Sequence, residues 1–232
     1  LHPGDRSTAY LLSAVRQQTV ARAPRDYVEA LFDRYAASFD RHMRGLLHYR
    51  VPSLMRKRLK PLVKKQGRFR HLLDIGCGTG LAGAALKDFA DRLTGVDVAR
   101  NILAEAARKH IYDRLVHDDF QRFLERTAAC CDLVVAADVF IYTGDLDRVF
   151  ALIRKRLSRY GYLVFSTEKS AQAGYVLQQS GRFAHSREYI TRMARQHGYR
   201  QTQVRPVPVR MENDSWIYGD LFVLSAEGRQ AG

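Results

Sequence analysis

Hydrophobic and polar positions change period once along this chain, near Arg70. Before that point apolar residues recur at helical spacing. From Arg6 to Val20 they are Ala9, Leu11, Leu12, Ala14 and Val15, and Pro24 closes the segment. A second helical pattern from Asp26 to Leu46 sets Tyr27, Leu31, Phe32, Tyr35, Phe39, Met43 and Leu46 at three- and four-residue steps. Pro52 and Pro61 punctuate a third, strongly basic helix. After Arg70, short apolar runs alternate with helical patterns, which predicts βαβ units and a parallel sheet. The expected strands are His71–Ile75, Leu93–Asp97, Arg114–His117, Asp132–Ala136 and Tyr162–Ser166. The helices expected between them are Leu81–Phe89, Asn101–Lys109, Phe120–Thr127 and Asp145–Leu157. A polar stretch follows Glu168, and then a helix, Ser186–Gln196, is stopped by Gly198. Two β-rich runs, Tyr199–Val209 and Trp216–Ser225, joined by a polar turn Arg210–Ser215, read as an antiparallel hairpin at the sheet edge. The expected organisation is therefore a helical segment, 1–66, ahead of one α/β domain, 67–232, whose sheet is mostly parallel and seven-stranded.

Composition narrows the classes. No apolar run approaches the roughly 20 residues that span a bilayer, and no basic-then-apolar leader is visible at the start. The chain opens on Leu1 rather than Met, which reads as a fragment or a trimmed chain. The three cysteines, Cys77, Cys130 and Cys131, make neither a disulfide framework nor a metal-ligand spacing, so a cytoplasmic setting and no metal site are expected. Lys and Arg outnumber Asp and Glu by 38 to 24, a formal net charge of +14. Such a field suits nucleic acid or another polyanion, but the charge is spread along the chain. Its densest cluster, Arg56-Lys57-Arg58-Leu59-Lys60 continuing to Arg70, interleaves no aromatics on which bases would stack.

In an open α/β sheet the ligand lies beyond the carboxyl ends of the strands. An acid stands at each of four consecutive ends: Asp74, Asp97, Asp118-Asp119 and Asp138. Between the first strand and its helix, Gly76, Gly78 and Gly80 allow a sharp turn and close backbone approach to a ligand. The loop is ambiguous by itself. Gly78-Thr79-Gly80-Leu81-Ala82-Gly83 also fits the dinucleotide pattern, with Asp97 about 20 residues on, so a nicotinamide or flavin enzyme stays open. Asp74, however, would repel a pyrophosphate, whereas the ammonium and sulfonium of S-adenosylmethionine would be attracted. Asp118 and Asp119 offer acceptors suited to an adenine amine, and the closing hairpin differs from a second parallel half.

These motifs in this order resemble class I S-adenosylmethionine-dependent methyltransferases. HLLDIGCGTG resembles the first motif, LTGVDVARNIL the second, LVHDDFQRFL the third, and CDLVVAADVFIY and YGYLVFSTE the fourth and fifth. FDRYAASFD before the core and GRFAHSREYITRMARQHGY after it resemble a bacterial group of predicted methyltransferases that often carry upstream tetratricopeptide repeats. The opening LHPGDRSTAYLLSAV, within 1–22, resembles the tail of such a repeat.

The resemblance implies a Rossmann-like fold, S-adenosylmethionine as cofactor and S-adenosylhomocysteine as product. Asp74, Gly76, Cys77 and Gly78 would line the methionine moiety, with Asp74 drawing its amino group partly through water. Asp97 would accept the ribose hydroxyls, and Val98 would lie on the adenine. Asp119 would take the adenine amine beside the Phe120 backbone, leaving Asp118 as a helix cap. Ala137 and Asp138 would flank the methyl group, and Tyr35 and Phe39 would cap the cofactor. Tyr49 and Arg50 are candidates for the cofactor carboxylate, with surface positions the alternative. For the acceptor the candidates are Asp138, Tyr142, Tyr175, Arg182 and His185. His185 is the expected proton acceptor, because its ordinary pKa lies near neutrality.

ADVFIY after the fourth strand is not the Asn/Asp-Pro-Pro-aromatic pattern of amino-methylating nucleic-acid enzymes, and no Pro-Cys follows it. The expected function is methyl transfer to an oxygen or nitrogen of a small molecule. An RNA or protein methyltransferase using the basic N-terminal segment is the alternative.

Overall fold

The structure, a computed structural model, describes residues 5–212 and 214–227. The first four residues of the repeat-like opening and Asn213 of the expected turn lie outside the described residues. Three helical stretches precede the sheet. Helix α1 (Arg6–Val15) starts where Asp5 accepts the Ser7 N–H, and it ends well before Val20. Helix α2 (Arg25–Tyr35) does not continue to Leu46 as one helix. It tightens to a 3₁₀ turn at Ala36–Ser38, regains one α turn, α3 (Phe39–Arg41), and widens to a π turn at His42–Leu46. Steps of three and four residues fit all three windings, so the apolar pattern carries no trace of the change. Helix α4 (Val51–Gln66) continues through Pro61. Pro61 and Lys57, whose carbonyl loses its partner there, are both exposed.

The core sheet has strands β1 (Phe69–Ile75), β2 (Ala90–Asp97), β3 (Arg114–His117), β4 (Cys131–Ala136) and β5 (Leu157–Lys169). Their order is β3-β2-β1-β4-β5, all parallel. The strand order reverses between β1 and β4, so the carboxyl ends of β2, β1 and β4 meet at the switch point. Helices α5 (Leu81–Leu86), α6 (Arg100–Arg108), α7 (Phe120–Arg126) and α8 (Asp147–Arg156) make the crossovers. With α9 (Arg187–Gln196), α7 and α8 bury one face of the sheet around Leu73, Val134, Phe150, Phe165 and Ile190. Helices α4 and α5 bury the other face around Met55, Leu59, Leu86, Leu133 and Val164.

Two features depart from the seven-strand expectation. The polar stretch after Glu168 contains a small hairpin, β6 (Tyr175–Leu177) and β7 (Phe183–His185), so the described sheet has nine strands. Three-residue strands are too short for periodicity to register. Residues Glu168 and Lys169 of β5 pair with β7. A strand has two edges, and Glu168 already meets Gly219 of β9 on one of them. The small hairpin therefore occupies the edge that β4 vacates, above the end of β4. The closing hairpin, β8 (Tyr199–Glu212) and β9 (Ser215–Ala226), is antiparallel to β5 through β9. Its strands run further than expected: Arg210 lies inside β8, paired opposite Ile217, and is 2% exposed. A polar residue had suggested a turn there, and three nearby carboxylates make its burial tolerable.

Candidate cofactor and acceptor site

A cavity of about 310 Å³ opens at the switch point. Gly76, Gly78 and Gly80 adopt φ of 61°, 55° and 87°, the left-handed region that side chains disfavour. At Gly76 there is no room either, because an added Cβ would lie 2.6 Å from Val139 Cγ2. The loop is thus pressed against the end of β4.

Asp97 is the anchor of the loop. Its Oδ2 accepts the Gly78 N–H at 2.8 Å and its Oδ1 accepts the Ala99 N–H at 3.0 Å, while the carboxylate still faces the cavity. Each oxygen keeps a further lone pair, the acceptor pair that two adjacent ribose hydroxyls require. Burial pushes its pKa up, against the backbone bonds that lower it.

Val98, Asp119 and Phe120 continue the wall toward β3. Asp119, not Asp118, is the helix cap: its Oδ1 accepts the Gln121 and Arg122 N–H groups at 2.9 and 3.3 Å. Its Oδ2 takes a 2.6 Å bond from Arg22, so an adenine amine would share that oxygen with a guanidinium. Asp118 lies off the cavity wall, with Oδ1 accepting the Asp119 N–H. Cys77 also lines the cavity, and burial pushes its thiol up.

From the N-terminal stretches, Arg22, Phe32, Tyr35, Phe39, Met43, Leu47 and Tyr49 complete the wall. The broken helix is tied down by Asp40, which accepts from Thr79 of the glycine loop and pairs with Lys109. Asp33 in turn accepts the Asn101 N–H at 2.7 Å, at the start of α6. No residue of the basic helix α4 lines the cavity.

At the β4 end, Asp138 adopts a φ of 61° and lines the cavity with Ala137, Tyr142, Arg182 and Arg210. Its backbone N–H donates to Ser166 Oγ at 2.9 Å, and its Oδ2 accepts from Arg210 Nη1 at 2.8 Å. Arg210 also pairs with Glu168, and through Nε with Glu212 at 2.7 Å. Arg182 reaches the same Glu212 oxygen at 2.6 Å, and Gln178 donates to Glu168 at 2.9 Å. Burial raises the Asp138 pKa, with Arg210 opposing it, and burial lifts Tyr142 to about 12. Tyr142 stands edge-on to Phe32, ring centres 5.5 Å apart.

Two expected residues lie elsewhere. Asp74 is fully buried behind the loop, where it accepts from Tyr112 Oη at 2.7 Å; burial lifts its pKa to about 7. It does not line the cavity. His185, the expected proton acceptor, is 1% exposed within β7 and also off the cavity wall. Its Nε2 lies 3.1 Å from the carbonyls of both Thr143 and Gly144, and its ring stacks on Tyr189. A buried imidazole that donates to two carbonyls is a neutral structural group, and burial lowers its pKa to about 4. Tyr175 and Arg50 do not line the cavity; Arg50 instead lies over the Trp216 ring.

The His185 assignment has a measurable consequence. A folded-state pKa below the unfolded value near 6.5 means the unfolded chain binds the extra proton. The stability this contributes is full above pH 6.5 and is lost as pH falls toward about 4. In His185→Gln an amide can donate to the same carbonyls without titrating. Chemical denaturation should show the wild type losing about 2 kcal/mol relative to this variant between pH 7 and 5. A constant difference between the two would refute the neutral buried imidazole.

The geometry defines an α/β domain whose cavity runs from the Asp97 carboxylate to the end of β4. Residues 73–165 match the family model described as a methyltransferase domain. The chain is 36% identical over 151 residues to a malonyl-[acyl-carrier protein] O-methyltransferase of Methylovorus sp., covering 60% of this chain and 49% of that protein. It is 26% identical over 102 residues to a ubiquinone biosynthesis O-methyltransferase of Coxiella burnetii, covering 42% of this chain and 43% of that protein. It thus spans about half the length of the curated relatives it matches. The crystal structure of the N-methyltransferase NodS from Bradyrhizobium japonicum, in complex with S-adenosylhomocysteine, superposes with a TM-score of 0.65 at 20% identity. That alignment covers 87% of this chain and 98% of NodS. No helix among the described residues is long and apolar enough to cross a membrane.

Proposed function

We propose that this protein transfers the methyl group of S-adenosylmethionine to an oxygen or nitrogen of a small molecule. The observation that carries the reading is Asp97: its oxygens fasten the glycine loop and still face a cavity of nucleoside size. The cofactor supplies a methyl carbon already activated by a sulfonium. The chain's own task is to hold donor and acceptor in line and exclude water. Asp97 binds the ribose hydroxyls, Asp119 and Phe120 hold the adenine end, and the left-handed glycines let the methionine end lie against backbone. Tyr35, Phe39 and Met43 lid the cavity.

A small acceptor is favoured over a polymer because these helical segments wall the cavity. The basic helix α4, which would track a nucleic acid, contributes nothing to it. Two curated relatives are named for O-methylation, one of malonyl-[acyl-carrier protein] and one in ubiquinone biosynthesis, which supports an oxygen as acceptor. Calorimetric titration tests the donor side. S-adenosylmethionine and S-adenosylhomocysteine should bind at one site per chain, and NADH should not compete. Tight NADH binding with no response to either methionine nucleoside would reverse the assignment.

A further inference from the structure

The cluster at the β4 end is larger than a single ion pair requires. Three carboxylates, Asp138, Glu168 and Glu212, surround two guanidiniums, Arg210 and Arg182. Fully ionised, it carries one negative charge in excess among the described residues. Arg210 is 2% and Glu168 4% exposed, so water screens their end of the cluster poorly, while Arg182 and Glu212 are half-buried at its rim. An uncompensated buried charge is costly, and a fold keeps one where something neutralises it. The open side of the cluster is the cavity, which Asp138, Arg182 and Arg210 line together.

The strand order says what arrives there. Asp119, Asp97, the glycine loop and Asp138 follow β3, β2, β1 and β4, and neighbouring strands lie about 4.8 Å apart. With the ribose on Asp97, the next groups of the cofactor extend across β1 toward Asp138, about 10 Å away by the same spacing. The first functional group beyond the ribose is the sulfonium, which carries one positive charge.

We infer that the Asp138–Arg210–Glu168–Glu212–Arg182 cluster is the counter-ion of the cofactor's sulfonium, and that it makes the site prefer the charged donor over its uncharged sulfide product. This rests on the methyltransferase reading above. The cluster is neutral in sum when the sulfonium is present, and methyl transfer removes that charge. The spent product therefore leaves the excess uncompensated and is released in favour of a fresh donor. Arg210 is a positioning residue: it holds Asp138 toward the cavity and keeps the excess at one unit rather than two.

Paired binding measurements test this without knowledge of the acceptor. The readout is the ratio of affinities for S-adenosylmethionine and S-adenosylhomocysteine by calorimetry, which cancels losses common to both ligands. Glu212→Gln removes the excess negative charge and should lower the preference for the donor roughly tenfold. Arg182→Gln adds to the excess and should raise that preference by a similar factor. A purely structural role cannot move the two variants in opposite directions. In the wild type the preference should also fall on acidification, as the cluster gains a proton. The groups facing Asp138 there are Arg210 of β8, Glu168 and Ser166 of β5, Tyr49 and Arg182. Ratios unchanged in both variants, or shifted in the same direction, would overturn the counter-ion assignment while leaving the methyltransferase reading intact. Failure of the wild type to bind either nucleoside would overturn both.

Discussion

Replacing Asp97 by alanine is expected to weaken binding of S-adenosylmethionine and S-adenosylhomocysteine alike, by roughly 10²- to 10³-fold. Two losses add. Hydrogen bonds to a charged acceptor contribute about 1.5–3 kcal/mol each, and the ribose would lose two of them. The amides of Gly78 and Ala99 would also lose their partner, at 2.8 and 3.0 Å in the structure, so the loop would no longer be held in its binding conformation. Because the ribose is common to donor and product, the ratio of their affinities should stay constant. That separates this variant from those in the Arg210 cluster. Calorimetry checks it, with a thermal melt to show that the variant is folded; affinities within threefold of the wild type would remove Asp97 from the site.

The second large effect concerns Arg210, whose replacement by alanine should cost about 3–5 kcal/mol of stability, the usual result of stripping one partner from a buried ion pair. For a chain of this size that is a fall in melting temperature on the order of 10 °C. Asp138, Glu168 and Glu212 would be left facing one another, and their pKa values would rise above the unfolded ones. Carboxyl groups that take up protons on folding are most destabilising when pH keeps them ionised. The deficit should therefore be largest near neutral pH and shrink as pH falls toward the carboxylate range. Arg50→Ala, which removes an exposed guanidinium lying over Trp216, serves as the control and should change stability by less than about 1 kcal/mol. Equal melting temperatures for the two variants at pH 7 would contradict the account of the cluster.

The parts of the site that were legible in the sequence are those written in consecutive residues. The glycine loop, Asp97-Val98, Asp119-Phe120 and Ala137-Asp138 all sit where strand-end reasoning puts them, because a parallel sheet sends every strand end to the same side. Tyr35 and Phe39 were visible as helical repeats and do line the cavity, although the helix bearing them changes winding three times. Arg22 and Arg210 were not legible. Arg22 reaches Asp119 across 97 positions and Arg210 reaches Asp138 across 72, pairings that only the closed fold creates.

Two expected residues lie off the cavity wall for a shared reason. Asp74 and His185 were read from side-chain chemistry alone, as a charge for an ammonium and a base near neutrality. Burial decides otherwise: it lifts one to about 7 and drops the other to about 4, and neither reaches the cavity. His185 also lies in a three-residue strand that no periodicity announces, so nothing in its neighbourhood signalled that it would be enclosed.

The central claim is methyl transfer to a small molecule, and isotope tracing addresses it directly. The protein is incubated with S-adenosylmethionine labelled in its methyl group and with a cell extract, then the mixture is separated into small-molecule, nucleic-acid and protein fractions. Label is expected in the small-molecule fraction, dependent on enzyme and absent with Asp97→Ala. Label confined to nucleic acid or protein, or equal labelling by wild type and Asp97→Ala, would contradict it.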